Sequence, residues 1–475
     1  MRTRKDVWKL STSNPWHPDL LWYARAVADM QTRAADDPTS WTYQAAIHGI
    51  PQDNNPQPRF WVQCQHNSWF FLPWHRMYLF YFEQIVAATI VKLGGPSDWA
   101  LPYWNYSDPT NPSATQLPPA FFAPTLPDPG SPANALLDAN RDRGNSGESV
   151  TSNPSQTNLT PALTESQFSV AATGGVAGFG GPITGFHHDG TGAMGVLDRS
   201  PHGSIHMAIN GDMGAFETAA LDPIFWLHHA NIDRLWNVWL KRDPTHTNPP
   251  DATWLTGLAF EFHDAAKSEA AMTSSQVVDN TASPLSYQYE DESDPIGGVA
   301  GFVAPRRLAM AADSIPEMVG ATAKPVTLSG KAASASFAVT PPTGPARLAA
   351  VGTAAPPRTY LNLENVTGPR HHTSYSVYVN LPANESADKH PELLAGNMPL
   401  FGLAEASRAD QRHSGSGLHY AYEISDIVRR LQQKGDWDAK NVRVTFIPDY
   451  DVPKRVSLTG AVGEVQVGRI SLYHK

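Results

Sequence analysis

The chain has 475 residues, of which 41% are hydrophobic and 17% are charged, and this length predicts two or three globular domains. Its 14 tryptophans indicate a large aromatic core. The formal net charge of −10 and the lack of a basic stripe argue against nucleic acid and anionic membrane surfaces as partners. A single cysteine excludes an intrachain disulfide.

The first residues of the chain do not look like a secretory signal. Residues 1–18 include basic side chains but no apolar stretch follows them. No run approaches the roughly 20 apolar residues that span a bilayer. We therefore expect a cytoplasmic protein, with export through a removed or separate signal left open.

Helical patterns dominate the first half of the chain. Apolar spacing predicts an amphipathic helix over residues 18–34 and a long helix from Pro73 to the glycines at 94–95. Residues 107–200 are rich in Pro, Gly, Ser and Asn and predict a long irregular insertion. Ser200-Pro201 and Asp222-Pro223 each place a capping side chain before a proline, so each predicts the start of a helix.

The pattern changes after about residue 250. Residues 253–291 predict short extended segments, and the Gly-, Ala- and Pro-rich residues 292–320 predict a linker. Period-two runs such as TYLNLENVT and SYSVYVNLP follow within residues 321–475 and predict a β-sandwich. One amphipathic segment among them, SDIVRRLQQKG, predicts a helix.

Six histidines fall in two separated clusters that favour a pair of metal ions. They stand in IHG, CQHNSWFFLPWHR, SPHGSIH and DPIFWLHHANIDRLW, as His48, His66, His75, His202, His206 and His229. Imidazole suits copper in both of its oxidation states, and helices around a buried site are a known support for metal pairs. The H-x-x-x-H spacing also fits zinc, but the Glu of a zinc-protease motif is absent.

These motifs resemble those of the type-3 copper proteins, which are tyrosinases, plant polyphenol oxidases (catechol oxidases) and molluscan haemocyanins. The resemblance implies a mainly α catalytic domain, built as a four-helix bundle around a dinuclear copper site with long irregular loops, and a C-terminal all-β sandwich-like domain. It places the copper domain at residues 1–291, including the 253–291 region with Tyr287 and Tyr289, the linker at 292–320 and the β domain at 321–475.

The resemblance also implies the cofactors and their ligands. Two copper ions are expected, with O2 as co-substrate. Copper A would be bound by His48, His66 and His75, and copper B by His202, His206 and His229. Side chains expected to support these ligands are Arg76, His228, Asn231 and Asp233.

Cys64 stands two residues before His66, as in the C-x-H motif of fungal tyrosinases and molluscan haemocyanins. In those proteins the sulfur is bonded to a carbon of the histidine ring, so the resemblance implies a thioether between Cys64 and His66. The alternative is an inert, buried small side chain.

Three further residues are expected at the substrate. Phe225 resembles the phenylalanine that stacks over the substrate ring. Asp198 stands near the position of a family Glu that holds a water able to take the phenol proton, and Gly203 stands where strong hydroxylases carry Asn or Asp. Both departures disfavour monophenol hydroxylation, while diphenol oxidation needs neither residue.

The predicted function is therefore copper-dependent oxidation of phenols and o-diphenols to o-quinones with O2, acting on a small phenolic substrate. Two alternatives stay open: a catechol oxidase without monophenolase activity, and a haemocyanin-like oxygen-binding protein. Whether the chain forms a homo-oligomer is also open. In the resembling families a C-terminal domain places a side chain above the coppers, and residues 395–407 offer Leu400 and Phe401 for this shield; plain packing between domains is the alternative.

Overall fold

The computed structural model describes residues 1–11, 14–51, 55–172, 175–186, 192–297, 315–340, 358–410, 413–450 and 463–475. The chain divides into two compact units. The first comprises Met1–Phe168 and Ile205–Gly298, and the second comprises Ser169–Ser204 and Val299–Lys475. Among the described residues, no helix is both long and apolar enough to cross a membrane.

The division differs from the predicted domain boundaries in one segment. Ser169–Ser204 belongs to the second unit, although the sequence places it within a copper domain at 1–291. The segment bonds to residues far along the chain: the Met194 amide, for example, donates to the His419 carbonyl at 2.8 Å. Such pairings leave no local sequence pattern. Most of the predicted 292–320 linker lies outside the described residues.

The first unit is mainly helical, as predicted. Its helices, with the one that crosses the unit boundary, are α1 Val7–Ser11, α2 Pro18–Gln31, α3 Trp41–His48, α4 Phe71–Lys92, α5 Thr160–Thr164, α6 Ser204–Ile209, α7 Ile224–Arg242 and α8 Ala252–Thr256. Helix α2 packs against α3 and α4, and α4 packs against α7. Helices α4 and α7 are buried on nearly all sides, so the charged side chains that they carry inward, such as Arg76 and Asp233, need partners there.

The predicted helix starts are found with small shifts. Helix α4 begins two residues before Pro73, which occupies the first turn, where a missing N–H costs nothing. Helix α7 begins after Asp222-Pro223, and the Asp222 carboxylate accepts from the Ile224 amide at 3.0 Å. The start predicted at Ser200-Pro201 instead lies in a π-helical turn, Asp198–Gly203, which precedes α6. Within this turn Ser200 has extended backbone angles (φ −148°, ψ 128°).

A partly buried carboxyl near the start of α7 gives a pH-dependent prediction. Burial and the nearby Asp222 raise the pKa of Asp138 to about 7. Between about pH 4 and pH 7 the folded chain therefore binds more protons here than the unfolded chain, so stability falls as the pH rises. We expect Asp138→Asn to unfold at a higher temperature than the wild type, by a margin that grows from pH 5 to pH 8. Calorimetry that gives a constant margin would contradict this.

Short strands complete the first unit. Strand β1 (Arg2–Arg4) pairs in parallel with β6 (Tyr287–Tyr289), so the start of the chain lies beside the predicted Tyr-x-Tyr region. Strands β4 (Ala259–His263) and β5 (Glu269–Thr273) form an antiparallel hairpin.

The second unit contains two antiparallel sheets and confirms the predicted β domain. Its strands are β2 Ser169–Val170, β3 Gly181–Pro182, β7 Glu317–Ala321, β8 Val326–Leu328, β9 Ala333–Phe337, β10 Thr359–Thr367, β11 Tyr375–Val379, β12 Leu394–Met398, β13 Leu418–Glu423, β14 Val442–Pro448 and β15 Val465–His474. One sheet has the order β13-β10-β15-β7, with β8 also on β15, and the other has the order β12-β11-β14-β9.

Both sheets contribute to one hydrophobic core, which is the arrangement of a sandwich. Leu361 of β10, Val377 of β11, Phe446 of β14 and Leu472 of β15 all lie in it. Two short helices accompany the sheets, α9 (Leu403–Ala406) and α10 (Ser425–Lys434). The latter is the helix predicted from SDIVRRLQQKG.

Candidate metal centre

Five of the six predicted ligand histidines come together within the first unit. The Nε2 atoms of His48 and His66 lie 3.2 Å apart, and those of His206 and His229 lie 3.4 Å apart. The rings of His75 and His229 are stacked, with centroids 4.3 Å apart and an 11° angle between their planes. Helices α3, α4, α6 and α7 supply four of these histidines, and His66 comes from the loop before α4.

Backbone carbonyls orient the rings. The Nδ1 atom of His48 lies 3.0 Å from the Phe216 carbonyl oxygen, and that of His75 lies 2.8 Å from the carbonyl of Phe71. His206 makes the same contact with Met213 at 2.7 Å. A carbonyl oxygen can only accept, so Nδ1 carries the proton and the neutral ring presents its Nε2 lone pair.

This arrangement fits metal ions rather than a self-contained hydrogen-bond network. Imidazole nitrogens stay about 2.0–2.1 Å from a divalent ion, so two nitrogens 3.2–3.4 Å apart can share one ion. If both rings of a pair carry their proton on Nδ1, their Nε2 lone pairs face each other, and a cation between them would be stabilising. The nearest donors at both pairs are imidazole nitrogens, which suit copper, and carbonyl oxygens lie beside Nδ1 of His48 and His206.

The remaining ligand, His202, lies in the second unit, four residues before His206 along the same stretch of chain. Its Nδ1 lies 3.1 Å from the Asp198 carbonyl oxygen and 3.0 Å from the Asp198 carboxylate. Asp198 therefore orients the ring of a predicted ligand. A carboxylate in this position makes the imidazole a stronger ligand.

Gly203 has little room for a side chain. A Cβ atom at this position would lie 3.1 Å from the Pro399 ring and 3.3 Å from the Asp198 carbonyl oxygen. An Asn at position 203 would therefore press on the loop that follows β12.

Phe225 packs among the rings of the predicted ligands. Its ring is fully buried, with its centroid 4.2 Å from that of His229 and 5.0 Å from that of His48. It packs between the histidines and limits their rotation. His228 packs against Tyr106 and His206.

The predicted supporting residues Arg76 and Asp233 form a buried ion pair at 2.5 Å between α4 and α7. Arg76 follows the ligand His75, and Asp233 lies one turn after His229, so the pair locks the two ligand helices together. Burial alone would raise the pKa of Asp233, but Arg76 and Arg4 hold it below its ordinary value. Asn231 acts indirectly, because its side-chain oxygen accepts from Arg234 at 2.9 Å.

Sequence reasoning missed the residue that completes this network. Arg4 is fully buried, pairs with Glu83 at 2.6 Å and with Asp233 at 3.2 Å, and lies over the Tyr287 ring. The Tyr287 and Tyr289 hydroxyls both donate to Asp233 at 2.5 Å. The sequence does contain a basic N-terminus and a Tyr-x-Tyr motif, which could have pointed to Arg4. Only the pairing of β1 with β6 shows that the two lie side by side.

Cys64 lies within reach of the first histidine cluster. Its sulfur and the nearest ring nitrogens of His48 and His66 are all within 4.8 Å of one another, and its side chain is buried. The loop that carries it is attached to the end of α3, since the amides of Val62 and Gln63 donate to the carbonyls of Ala46 and Ile47. This attachment holds Cys64 and His66 beside His48.

Comparisons with known proteins agree with this site. The family model described as the common central domain of tyrosinase matches residues 38–242, and a domain of unknown function matches residues 315–475. The chain is 38% identical to the tyrosinase HcTyr1 of Hahella sp. (strain CCB-MM4), over 100% of this chain and 99% of that protein. The chain belongs to the tyrosinase family. It is a type-3 copper oxidoreductase that oxidises phenols with O2.

More distant relatives share the same architecture. A chloroplastic polyphenol oxidase of Malus domestica is 29% identical to this tyrosinase-family chain, over 65% of this chain and 52% of that protein. Among solved structures, latent aurone synthase (a polyphenol oxidase) has a TM-score of 0.63 at 19% identity, covering 100% of this chain and 89% of that one. Latent apple tyrosinase has a TM-score of 0.61 at 20% identity, covering 99% and 97%. These two likenesses show the fold.

Proposed function

We propose that this chain holds two copper ions, with copper A on His48, His66 and His75 and copper B on His202, His206 and His229. The convergence of Nε2 atoms, with Nδ1 protons already committed to carbonyls, is the observation that carries this assignment. We assign His202 to the same ion as His206 because the two lie four residues apart and because the Nδ1 atom of each faces a backbone carbonyl oxygen. A bound copper pair would supply the redox chemistry by which O2 accepts electrons from a phenol.

The residues of the chain would prepare this site in three ways. Carbonyl acceptors keep the rings of His48, His75 and His206 in one tautomer, so that no proton needs to leave these rings before a metal binds. The buried ring of Phe225 packs against the rings of His48 and His229 and would exclude water from them. Asp198 keeps its carboxylate on the His202 ring, where it strengthens that ligand.

We further propose that o-diphenol oxidation exceeds monophenol hydroxylation. Hydroxylation requires a group that takes the phenol proton. The Asp198 carboxylate already accepts from His202 at 3.0 Å, and Gly203 offers no side chain to orient a water. Oxidation of a catechol to its o-quinone would pass two electrons and two protons to O2 and would insert no oxygen atom, so it would depend less on such a group.

Metal titration tests the assignment directly. The copper-free full-length protein should take up two copper ions per chain, and its oxygen uptake with a catechol should rise with the second ion. Loading with zinc should occupy the same histidines without oxygen uptake, because Zn²⁺ has no redox chemistry. Saturation at one copper per chain, or oxidation by the zinc form, would contradict the proposal.

We expect a thioether between Cys64 and a ring carbon of His66. The sulfur is buried beside the ring, and the chain has no other cysteine. One C–S bond would form as the thiol and the ring carbon each lose a hydrogen, and O2 would accept these two electrons and two protons. Intact mass after copper and O2 treatment should fall by about two hydrogens, a change that Cys64→Ser should not show. A thiol that still reacts fully with an alkylating reagent after denaturation would rule out the bond.

We also propose that Phe401 shields copper B. Its ring meets the His202 ring edge-on, with centroids 5.8 Å apart, and Leu400 beside it is buried. Phe401→Ala should raise kcat/KM for bulky phenols about tenfold, which corresponds to ~1.4 kcal/mol. Phe337→Ala is the matched control, because Phe337 is equally buried in the same unit. Equal activity in both variants with two coppers bound would leave Phe401 a packing role only.

A further inference from the structure

Arg199 is a buried cation with no anionic partner among the described residues. Its Nη1 donates to the Ala421 carbonyl oxygen at 2.5 Å, and its guanidinium carbon lies 4.4 Å from the centre of the Tyr422 ring. Its Nε has no hydrogen-bond partner, although the side chain is 5% exposed. Burial lowers the pKa of Arg199, but an arginine stays charged at neutral pH.

Such a cation works against stability. Removing a charge from water without an opposite charge nearby is costly, and an apolar side chain of similar volume commonly serves the fold as well or better. Residues that break a packing rule in this way are expected at functional sites. Arg199 therefore needs an explanation other than the stability of the β-sandwich.

The position of Arg199 in the chain supplies that explanation. It directly follows Asp198, whose carbonyl and carboxylate orient His202. The turn between them is irregular, because Ser200 has extended backbone angles and interrupts the helical hydrogen bonds. Backbone bonds remain on both sides of Ser200, such as that from the Arg199 amide to the Gly195 carbonyl at 2.8 Å, and side-chain contacts add to them.

Contacts with two strands of the same unit help to hold this turn. Arg199 bonds to β13 through Ala421 and stacks on Tyr422. The Ser204 hydroxyl donates to the Asn397 side-chain oxygen of β12 at 3.0 Å. The Met194 amide donates to the His419 carbonyl of β13. These three contacts bracket His202 on both sides along the chain.

We propose that Arg199 is a positioning residue for the oxidation site, which anchors the turn carrying Asp198 and His202 to strand β13. Strand β13 on this view sets the direction of the His202 ring. This inference rests on the proposed copper assignment of His202. A planar guanidinium can bond to a carbonyl and stack on a ring at once, which the ammonium of a lysine cannot do.

The test compares three full-length variants for thermal unfolding without copper, for copper bound per chain, and for kcat and KM with a catechol. Arg199→Met should unfold within about 4 °C of the wild type, because it removes a costly buried charge. Its copper should fall from two towards one per chain, and kcat should fall more than tenfold. Arg199→Lys should be intermediate. Arg469→Met is the control: Arg469 pairs with Glu364 in the same unit, and its loss should leave copper and kcat unchanged.

The outcomes distinguish the proposed role of Arg199 from the alternatives. Arg199→Met with two coppers and wild-type kcat would overturn the proposal. Failure of Arg199→Met to fold would also overturn it, because Arg199 would then be a stabilising residue. A wild type that does not bind two coppers would instead refute the proposed function, and the two failures are thus distinguishable.

Discussion

His229→Ala should bind about one copper per chain and should lose catechol-dependent oxygen uptake down to the uncatalysed background. The Nε2 atom of His229 lies 3.4 Å from that of His206, and its ring stacks on His75. Its removal therefore takes a ligand from one proposed ion and a packing partner from a ligand of the other. Because electron transfer to O2 in this family involves both coppers, loss of one ion removes the whole reaction.

His246→Ala is the matched control for this variant. His246 is also a buried histidine, and it stacks on Trp239 of α7 with ring centroids 4.3 Å apart. We expect a lower unfolding temperature for His246→Ala but two coppers and near-normal kcat. The assignment would be wrong if His229→Ala kept two coppers and its activity. A loss of copper in both variants would indicate that general destabilisation of α7 is responsible.

Asp233→Asn should destabilise the first unit by about 3–5 kcal/mol, the usual cost when one partner of a buried ion pair is removed. Asp233 is the carboxylate that faces Arg4 and Arg76, and it accepts from Tyr287 and Tyr289. An asparagine keeps the volume but leaves the cations with less negative charge. Since Arg76 follows the ligand His75, copper affinity should also fall, by roughly 10–100-fold.

Asp128→Asn makes the same chemical change in a solvent-exposed setting. Asp128 pairs with Arg25 at 2.5 Å, with both side chains partly exposed. Such a surface pair contributes about 0–1 kcal/mol, so this control should unfold close to the wild type and bind copper normally. Thermal unfolding of both variants without copper gives the comparison. Similar unfolding temperatures would show that the Asp233 network does not hold the ligand helices together.

Local sequence patterns were sufficient for the helices that carry the ligands. The long apolar run after Pro73 and the Asp222-Pro223 cap correspond to α4 and α7, because helix starts depend on neighbouring residues. Alternating runs after residue 320 correspond to the two sheets for the same reason. The six histidines proposed as ligands stand in motifs whose spacing is also local.

Roles that depend on distant partners were not recognisable in the same way. Phe225 lies one turn before His229, which the sequence shows, but its contact with His48 of another helix could not be read from the sequence. Asp198 was placed near the substrate by analogy with a glutamate, whereas its carboxylate bonds to the ring of His202. Direction of a side chain depends on its packing neighbours, and these come from other parts of the chain.

The sequence by itself determined the family, the helices and sheets, and the six histidines, because motif spacing and hydrophobic period are properties of neighbouring residues. Only the tertiary structure decided that Arg4 joins Asp233 and that the Ser169–Ser204 segment folds with the β-sandwich. It also decided that carbonyls such as that of Phe216 fix the ligand tautomers. These contacts join residues that are far apart in the sequence. Buried charges and hydrogen-bond donors acquire such partners only when the whole chain has folded.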